Sequence, residues 1–208
     1  GVFANKTVGS GKTVTVSYTL GGADAANYTA SGNAVTANIT AKGLTQSGAS
    51  AANKVYNAGT SATISGGSLS GVVGGDTVSV SSTGTFSNKN VGSGKTVTLA
   101  LTGSDSANYT MSSGGTTTAN ITAKTANITG TAASNKTYDA ATGATLSSNG
   151  TITAGDIESG DTLTLASASG VFANKTVGSG KTVTVSYTLG GADAANYTAS
   201  GNAVTANI

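Results

Sequence analysis

The chain has 208 residues with a formal net charge of +2, and only 9% of them are charged. It contains no Cys, His, Pro, Trp or Arg, whereas Gly accounts for 31 positions. Without His or Cys, no Ser-His-Asp or Cys-His arrangement can form, and the usual zinc, haem and iron–sulfur ligands are missing. The small charge and the absence of Arg argue against nucleic-acid binding, and no apolar run approaches the roughly 18 residues of a membrane span. We therefore expect no enzyme, no catalytic residue, no cofactor, no metal and no membrane insertion.

The sequence is internally repeated. Residues 1–39 recur without a change as residues 170–208. A diverged copy, TFSNKNVGSGKTVTL, begins at Thr85, and the upstream halves NKVYNAGTSATISGG and NKTYDAATGATLSSN begin at Asn53 and Asn135. The unit spans about eighty residues, which exceeds the roughly 20–45 residues of a solenoid repeat, so each unit is predicted to be a small domain.

These phrases place residues 43–124 and 125–208 in two complete repeats. Residues 1–42 form the C-terminal half of another repeat. A half repeat exposes strand edges and an open apolar face. We therefore expect either that residues resembling 125–169 precede Gly1 in the full protein, or that a neighbouring chain supplies the missing half.

Taken in chain order, apolar residues alternate with hydroxyl residues in every repeat. The alternating positions are Val14, Val16, Tyr18 and Leu20; Val78 and Val80; Val97, Leu99 and Leu101; Leu163 and Leu165; and Val183, Val185, Tyr187 and Leu189. A period of two predicts strands with one packed and one solvated face, and turn phrases such as VGGD at Val73 and GSGK at Gly92 separate them. The predicted fold class is all-β, with tandem small β-sandwich domains of immunoglobulin-like type; β-grasp-like units are the alternative.

Aromatic residues indicate where each repeat is packed. A small core is predicted in the middle repeat from Tyr56, Phe86, Val91 and Ile121. The phrase D-x-A-N-Y precedes the last hairpin of every repeat and ends at Tyr28, Tyr109 and Tyr197. Immunoglobulin-like sandwiches place a Tyr at a comparable corner, with its ring inward and its hydroxyl bonded to the backbone. A simple buried strand Tyr is the other interpretation.

The connections between repeats are short and contain no Pro. The phrase TANITAKTANITGT, residues 118–131, predicts a last strand that runs almost directly into the next repeat. Because such a connection limits rotation between neighbours, we expect an extended, semi-rigid rod.

Several phrases in fixed order resemble the YDG repeats of large bacterial surface adhesins of filamentous haemagglutinin type. In the third repeat they are Tyr138-Asp139-Ala140, GDTLTL at Gly160, the VFANK phrase after Gly170 and GADAANYTA at Gly191. The middle repeat keeps the same order from VYNA at Val55, so the resemblance covers essentially the whole chain. The departure is in the name-giving triplet, whose third residue here is Ala.

The resemblance implies a non-catalytic stalk segment of a secreted or surface-anchored adhesin that supports adhesion, aggregation or biofilm formation. The absence of Cys suits such an extracellular bacterial protein. Its partners are then neighbouring repeats, and other copies in a filament or biofilm matrix. The alternative is a structural subunit of an extracellular filament assembled by strand addition between chains. A carbohydrate-binding module is a third reading, which depends on exposed rings at Tyr18 or Tyr187.

Two groups of residues superficially suggest ligand sites. The GSGKT phrases at Gly9, Gly92 and Gly178 resemble a phosphate-binding loop, but the first Gly is misplaced and a strand follows, so a hairpin turn is favoured. The acids Asp156, Glu158 and Asp161 could supply part of a calcium site, although a solvated turn is the better interpretation.

Covalent modification is the remaining possibility. Lys54 and Lys136 lie in first strands and Asn120 and Asn207 in last strands, as in sandwiches that join such residues by an isopeptide bond beside an acid such as Asp105 or Asp193. Unmodified, solvated side chains are the favoured reading. Sequons of the form N-x-[ST] occur at Asn5, Asn27, Asn38, Asn108, Asn120, Asn127, Asn135, Asn149, Asn174 and Asn196.

Overall fold

The computed structural model describes residues 1–208 and is built from strands. Residues 1–42 contain β1 (Val2–Phe3), β2 (Gly9–Thr15) and β3 (Ala34–Ile39). The middle repeat contains β4 (Lys42–Ala51), β5 (Lys54–Val55), β6 (Ser61–Ser70), β7 (Ser79–Val80), β8 (Thr83–Phe86), β9 (Gly92–Thr98), β10 (Leu101–Thr102), β11 (Tyr109–Ser113) and β12 (Thr116–Thr122). The third contains β13 (Lys124–Ala126), β14 (Ile128–Ala133), β15 (Gly143–Ala144), β16 (Leu146–Ile152), β17 (Thr164–Phe172), β18 (Lys181–Gly190), β19 (Tyr197–Ala199) and β20 (Asn202–Ala206).

The only helices are single 3₁₀ turns, so the predicted all-β class is confirmed. These turns are Ala25–Asn27, Ser106–Asn108, Ala154–Asp156 and Ala194–Asn196. None of the helices has the length and apolar character that crossing a membrane requires.

The chain divides into two compact units. The first comprises residues 1–51, 63–84 and 98–117, and the second comprises residues 52–62, 85–97 and 118–208. The predicted middle repeat therefore contributes residues to both units.

In the first unit, β1, β2 and β3 form an antiparallel sheet in that order. Strand β4 pairs antiparallel with β6 and parallel with β11, so that Lys42 lies opposite Tyr109. Strands β7 and β10 form a short antiparallel pair. The parallel pairing brings the start of the middle repeat beside the strand that begins at Tyr109.

In the second unit, β15, β17, β18 and β20 form an antiparallel sheet in that order, and β14 pairs antiparallel with β16. Strand β13 runs parallel to β19, with Lys124 opposite Tyr197, and β5 runs parallel to β12. The strand that begins each complete repeat, β4 or β13, thus runs parallel to corresponding strands, β11 and β19.

The predicted alternation is confirmed in β18 and β9, whereas the predicted packed face was wrong for Tyr18 and Leu20, which are exposed. In β18, Val183 and Val185 are 0% and 2% exposed and pack with Phe172 and Ala206. Thr182 and Thr184, which alternate with them, face solvent, where a branched Cβ favours the extended backbone. Val97 and Leu99 are buried in the same way, although β9 ends at Thr98, before β10 begins at Leu101.

The predicted core of the middle repeat is confirmed for three of its four residues. Tyr56, Phe86 and Ile121 are 1–2% exposed. The fourth prediction was wrong: Val91 is only half-buried, because it lies in the loop between β8 and β9 rather than in a strand.

Candidate functional site: the lysine–aspartate–tyrosine clusters

In the second unit, an ion-pair cluster surrounds a buried carboxylate. Lys89 lies in the loop between β8 and β9, and its Nζ is 2.8 Å from Asp161 and 3.4 Å from Asp193. Asp161 precedes β17, and its side chain is only 1% exposed, whereas that of Lys89 is 37% exposed. A carboxylate withdrawn from water requires charged or hydrogen-bonding partners.

Two tyrosine hydroxyls complete the coordination of Asp161. Tyr56 and Tyr197 donate hydrogen bonds of 2.7 and 2.8 Å to its Oδ2 atom. Their rings meet edge to face, with centroids 5.4 Å apart. The hydroxyl of Tyr197 also accepts the backbone N–H of Glu158 at 2.9 Å. Three donors from three segments therefore converge on one carboxylate.

The pKa values in this cluster shift in directions that favour the charged pair. Burial raises the pKa of Asp161, but the hydrogen bonds from Lys89, Tyr56 and Tyr197 outweigh it and leave the net pKa below the usual value. The hydrogen bond to Asp161 is the main cause that raises the pKa of Lys89. Burial raises the pKa of Tyr197 to about 12, with the Asp161 carboxylate adding to the shift.

Hydrogen bonds to asparagine side chains fix the conformation of the loop that carries Lys89. The N–H of Val91 donates to Oδ1 of Asn196 at 2.9 Å, and Asn196 is only 5% exposed. Within the loop, Oδ1 of Asn88 accepts hydrogen bonds from the N–H of Asn90 and the ammonium of Lys95. Asn and Gly favour such turns, which explains the phrase NKNVG at this position.

The first unit contains the same cluster, built from corresponding residues. Lys6 is 2.6 Å from Asp76 and 3.6 Å from Asp105. Tyr109 donates to Asp76 at 2.7 Å, and the N–H of Val8 meets Asn108 as that of Val91 meets Asn196.

The first-unit cluster lacks the second hydroxyl and is more open. The side chains of Lys6 and Asp76 are 69% and 11% exposed. Hydrogen bonds from Lys6 and Tyr109 hold the pKa of Asp76 below its usual value.

Two of the three predicted tyrosines are buried and hydrogen-bonded to the backbone, but their backbone partners lie 36 and 39 residues upstream and not at an adjacent corner. Tyr109 and Tyr197 are 6% and 5% exposed, and each hydroxyl accepts a backbone N–H, from Val73 and Glu158 respectively. For Tyr28 the prediction was wrong, since its ring is 70% exposed.

The Gly-rich phrases at Gly9 and Gly92 lie in strands, the phrase at Gly178 leads into one, and none forms a phosphate-binding loop. Gly92–Thr98 is β9, and no helix follows it. The N–H groups of Gly11, Gly94 and Gly180 are already bonded to the side-chain oxygens of Asn38, Asn120 and Asn207. The hairpin-turn prediction was therefore wrong for the phrases at Gly9 and Gly92, which lie within strands, and only the phrase at Gly178 precedes its strand.

The three acids of the suggested calcium loop face three different partners. Asp156 accepts the N–H of Asn127, Glu158 is 2.7 Å from Lys124, and Asp161 lies in the Lys89 cluster. The solvated-turn reading was wrong for Asp161, because its side chain is buried.

The lysines considered for isopeptide bonds hold their own loops together. Lys54 donates to the carbonyl oxygens of Gly59 and Ser61 and lies 5.4 Å above the Phe86 ring. The ammonium of Lys136 donates to the carboxylate of Asp139 and to the carbonyl oxygens of Ala141 and Gly143.

The remaining candidate residues divide between exposed and occupied side chains. The amide oxygens of Asn108 and Asn196, two of the sequons, are occupied by loop N–H groups. Tyr18 is 56% exposed, whereas the hydroxyl of Tyr187 is 2.6 Å from that of Thr131.

The clusters themselves were missed at the level of sequence. One signal was present: in a chain with few charges, both complete repeats retain the pair Gly-Asp, at Gly75-Asp76 and Gly160-Asp161. The loop lysines recur with the same regularity, at Lys6, Lys89 and Lys175.

The fold and the clusters define an all-β protein of tandem repeats. The YDG domain model matches residues 1–37, 40–119 and 122–206, and the chain belongs to the YDG domain family. Comparisons with curated proteins and with solved structures find no match.

The triplet that departs from the family name keeps an unusual backbone. Ala58 and Ala140, at its third position, have φ of 56° and 60°. This left-handed region favours Gly over any residue with a Cβ. The chain thus retains the turn that a Gly would form, at a cost in strain.

Proposed function

We propose that this chain is a non-catalytic stalk segment of a secreted or surface-anchored bacterial adhesin, and that it supports adhesion, aggregation or biofilm formation. The observation that carries the proposal is the recurrence of the lysine–aspartate–tyrosine cluster. Lys6 with Asp76 and Lys89 with Asp161 each link one predicted repeat to the next, and each link forms within one compact unit. A segment whose role is to connect repeats has a reason to keep its scarce charges at the connections.

The short connections support the same role. Two residues separate β3 from β4, and one separates β12 from β13. Each connection is held by the backbone hydrogen bonds of a parallel strand pair as well as by the ion pairs. Because each junction is held by both its backbone and its side chains, we infer an extended rod of repeats, for which the alternating sequence predicts small immunoglobulin-like sandwiches.

Scattering and sedimentation test the rod. The 208-residue chain is expected to sediment as an elongated monomer, and its maximum dimension in small-angle X-ray scattering is expected to grow linearly as repeats are added. A compact particle, or a dimension that stops growing with repeat number, would count against the stalk.

Location requires a separate experiment. Antibodies raised against the chain are expected to label intact, unpermeabilised cells that produce the protein, and external protease is expected to remove the label. Labelling that appears only after permeabilisation would refute a surface role.

The filament alternative is favoured by one observation. Tyr18, Leu20 and Tyr28 are 43–70% exposed in the half repeat, which leaves an apolar face on which a strand from another chain would pack. Sedimentation that shifts to large species with concentration would support this alternative, and a monomer at all concentrations would reject it.

A further inference from the structure

The third repeat presents unpaired counterparts of the residues that the middle repeat contributes to the Lys89 cluster. The correspondences are Tyr138 for Tyr56, Lys175 for Lys89 and Val177 for Val91. Tyr138 is 51% exposed and Val177 is 72% exposed, and Lys175 is exposed without an ion pair. Their middle-repeat counterparts are buried or half-buried in contacts.

The loop that carries Lys175 already has the conformation seen in the clusters. Asn174 accepts the N–H of Thr176 at 3.1 Å, as Asn88 accepts that of Asn90. Gly178 and Ile208 exchange backbone hydrogen bonds of 2.9 and 3.0 Å, which close the base of the loop. Binding at this surface therefore requires little ordering of the backbone, and ordering is a main cost of association.

The repeat pattern identifies what the surface fits. Residues 170–208 have the same sequence as residues 1–39, and in the first unit that sequence contacts Asp76, Asp105 and Asn108 of the middle repeat. We propose that Tyr138, Lys175 and Val177 form a docking surface for a further YDG repeat with the sequence of residues 43–124.

Charge and hydrogen-bonding capacity match across the proposed contact. In the proposed contact, the ammonium of Lys175 meets the copies of Asp76 and Asp105 in the added repeat, as Lys6 meets Asp76 and Asp105 in the first unit. In the first unit Oδ2 of Asp76 accepts only the Tyr109 hydroxyl, whereas Oδ2 of Asp161 accepts two. Tyr138 supplies the second hydroxyl and turns the open form of the cluster into the closed one.

The test lengthens the protein in register. Residues 40–208 are joined directly after Ile208, so that the new connection reproduces the native sequence at Ile39–Thr40. In the lengthened chain, the N–H of Val177 bonds to the added copy of Asn108. Its hydrogen exchange, followed by NMR, is expected to slow by at least roughly tenfold relative to the 208-residue chain.

Variants assign the protection to the proposed contacts. Lys175→Met, Tyr138→Phe, or Asp76→Asn in the added copy is expected to restore fast exchange at Val177 in the lengthened chain. Lys175→Met and Tyr138→Phe are expected to be silent in the 208-residue chain. The exchange of Val91 serves as an internal reference for correct folding.

Two results would overturn the proposal. One is an unchanged Val177 exchange rate in a lengthened chain whose Val91 remains protected. The other is protection that none of the three substitutions alters. Neither result depends on where cells place the protein, so this test can fail without refuting the surface role.

Discussion

At the scale of single residues, Asp161 illustrates how a chain with few charges uses them. Its side chain is 1% exposed and accepts hydrogen bonds from Lys89, Tyr56 and Tyr197. Removing one partner of a buried charge leaves the other without compensation, which costs more than the pair itself contributes. The cluster is therefore expected to be sensitive to single substitutions.

Lys89→Met is expected to lower the free energy of unfolding, since the buried Asp161 carboxylate loses a charged hydrogen-bond partner. Urea denaturation measures the change. The matched control is Lys175→Met, at the same loop position without a partner, which is expected to have no effect. Equal losses in the two variants would contradict the assigned role of the Lys89–Asp161 pair.

The pKa shifts predict a stability profile that falls at both ends of the pH range. The pKa of Asp161 is depressed on folding, so its contribution is present above its unfolded pKa of about 3.9 and is lost as pH falls through the lower folded value. The pKa of Tyr197 is raised to about 12, so its contribution is complete below about pH 10 and is lost as pH rises to about 12. Melting temperatures from pH 2 to 12 should show both losses, and Tyr197→Phe should reduce the alkaline one. An alkaline slope unaltered by that substitution would exclude Tyr197 as its source.

Ala140→Gly is expected to raise stability by about 0.5–1 kcal/mol, because relief of the left-handed strain exceeds the added chain entropy of the unfolded state. The neighbouring Ala141→Gly serves as the control and should lower stability by about 0.5–1 kcal/mol. Thermal denaturation measures both. A loss at Ala140 equal to that at Ala141 would show that its backbone carries no strain.

At the scale of elements, one sequence forms two different strands. Strand β18 extends from Lys181 to Gly190, whereas β2, in the identical segment of residues 1–39, extends from Gly9 to Thr15. The cause is the neighbouring strand: β17 pairs with β18 from Thr164 to Phe172, while β1 offers β2 only two residues. Strand length here is set by tertiary pairing and not by local propensity.

The same contrast separates what sequence could and could not predict. Alternation sufficed to predict the buried faces of Val97 and Val183, because a period of two is local. The ion pair between Lys89 and Asp161 joins residues far apart in sequence, and the parallel pairing of β4 with β11 leaves no local pattern. The exposure of Tyr28 could not be predicted from its phrase, because the same phrase surrounds the buried Tyr197.

Gly191→Ala is expected to destabilise the protein by about 2–3 kcal/mol, since φ is +101° and a Cβ would meet the Thr162 carbonyl oxygen well inside contact distance. Its matched control is Gly22→Ala. Gly22 has the same sequence neighbours and a φ of +109°, but the space around its Cβ position is open. Gly22→Ala is therefore expected to lower stability only by the backbone strain, about 1 kcal/mol. Chemical denaturation compares the two variants. Equal costs would show that the close approach at Gly191 is unimportant.

At the scale of the whole molecule, stability is distributed unevenly between the units. The second unit contains the core of Phe172, Val183, Val185 and Ala206. In the first unit, Val14, the counterpart of Val183, is only half-buried. Local opening is easier where fewer apolar contacts hold the backbone.

Hydrogen exchange is expected to distinguish the two copies of one sequence. The amides of Val183 and Val185 should exchange at rates set by global unfolding, whereas those of Val14 and Val16 should exchange faster, through local opening. Because the two segments have the same sequence, intrinsic exchange rates cancel in the comparison. Identical protection would mean that the half repeat is as stable as the complete one.

The perfect identity of residues 1–39 and 170–208 bears on how such a protein changes length. A crossover between the two segments would delete or insert one middle-type and one third-type repeat together. The Lys6 and Lys175 loops have the same sequence, so a loop exchanged in this way would present the same side chains to the next repeat. Variants that differ by whole pairs of repeats would keep the same contacts between repeats. The length of the protein could then change without any new contact having to be selected.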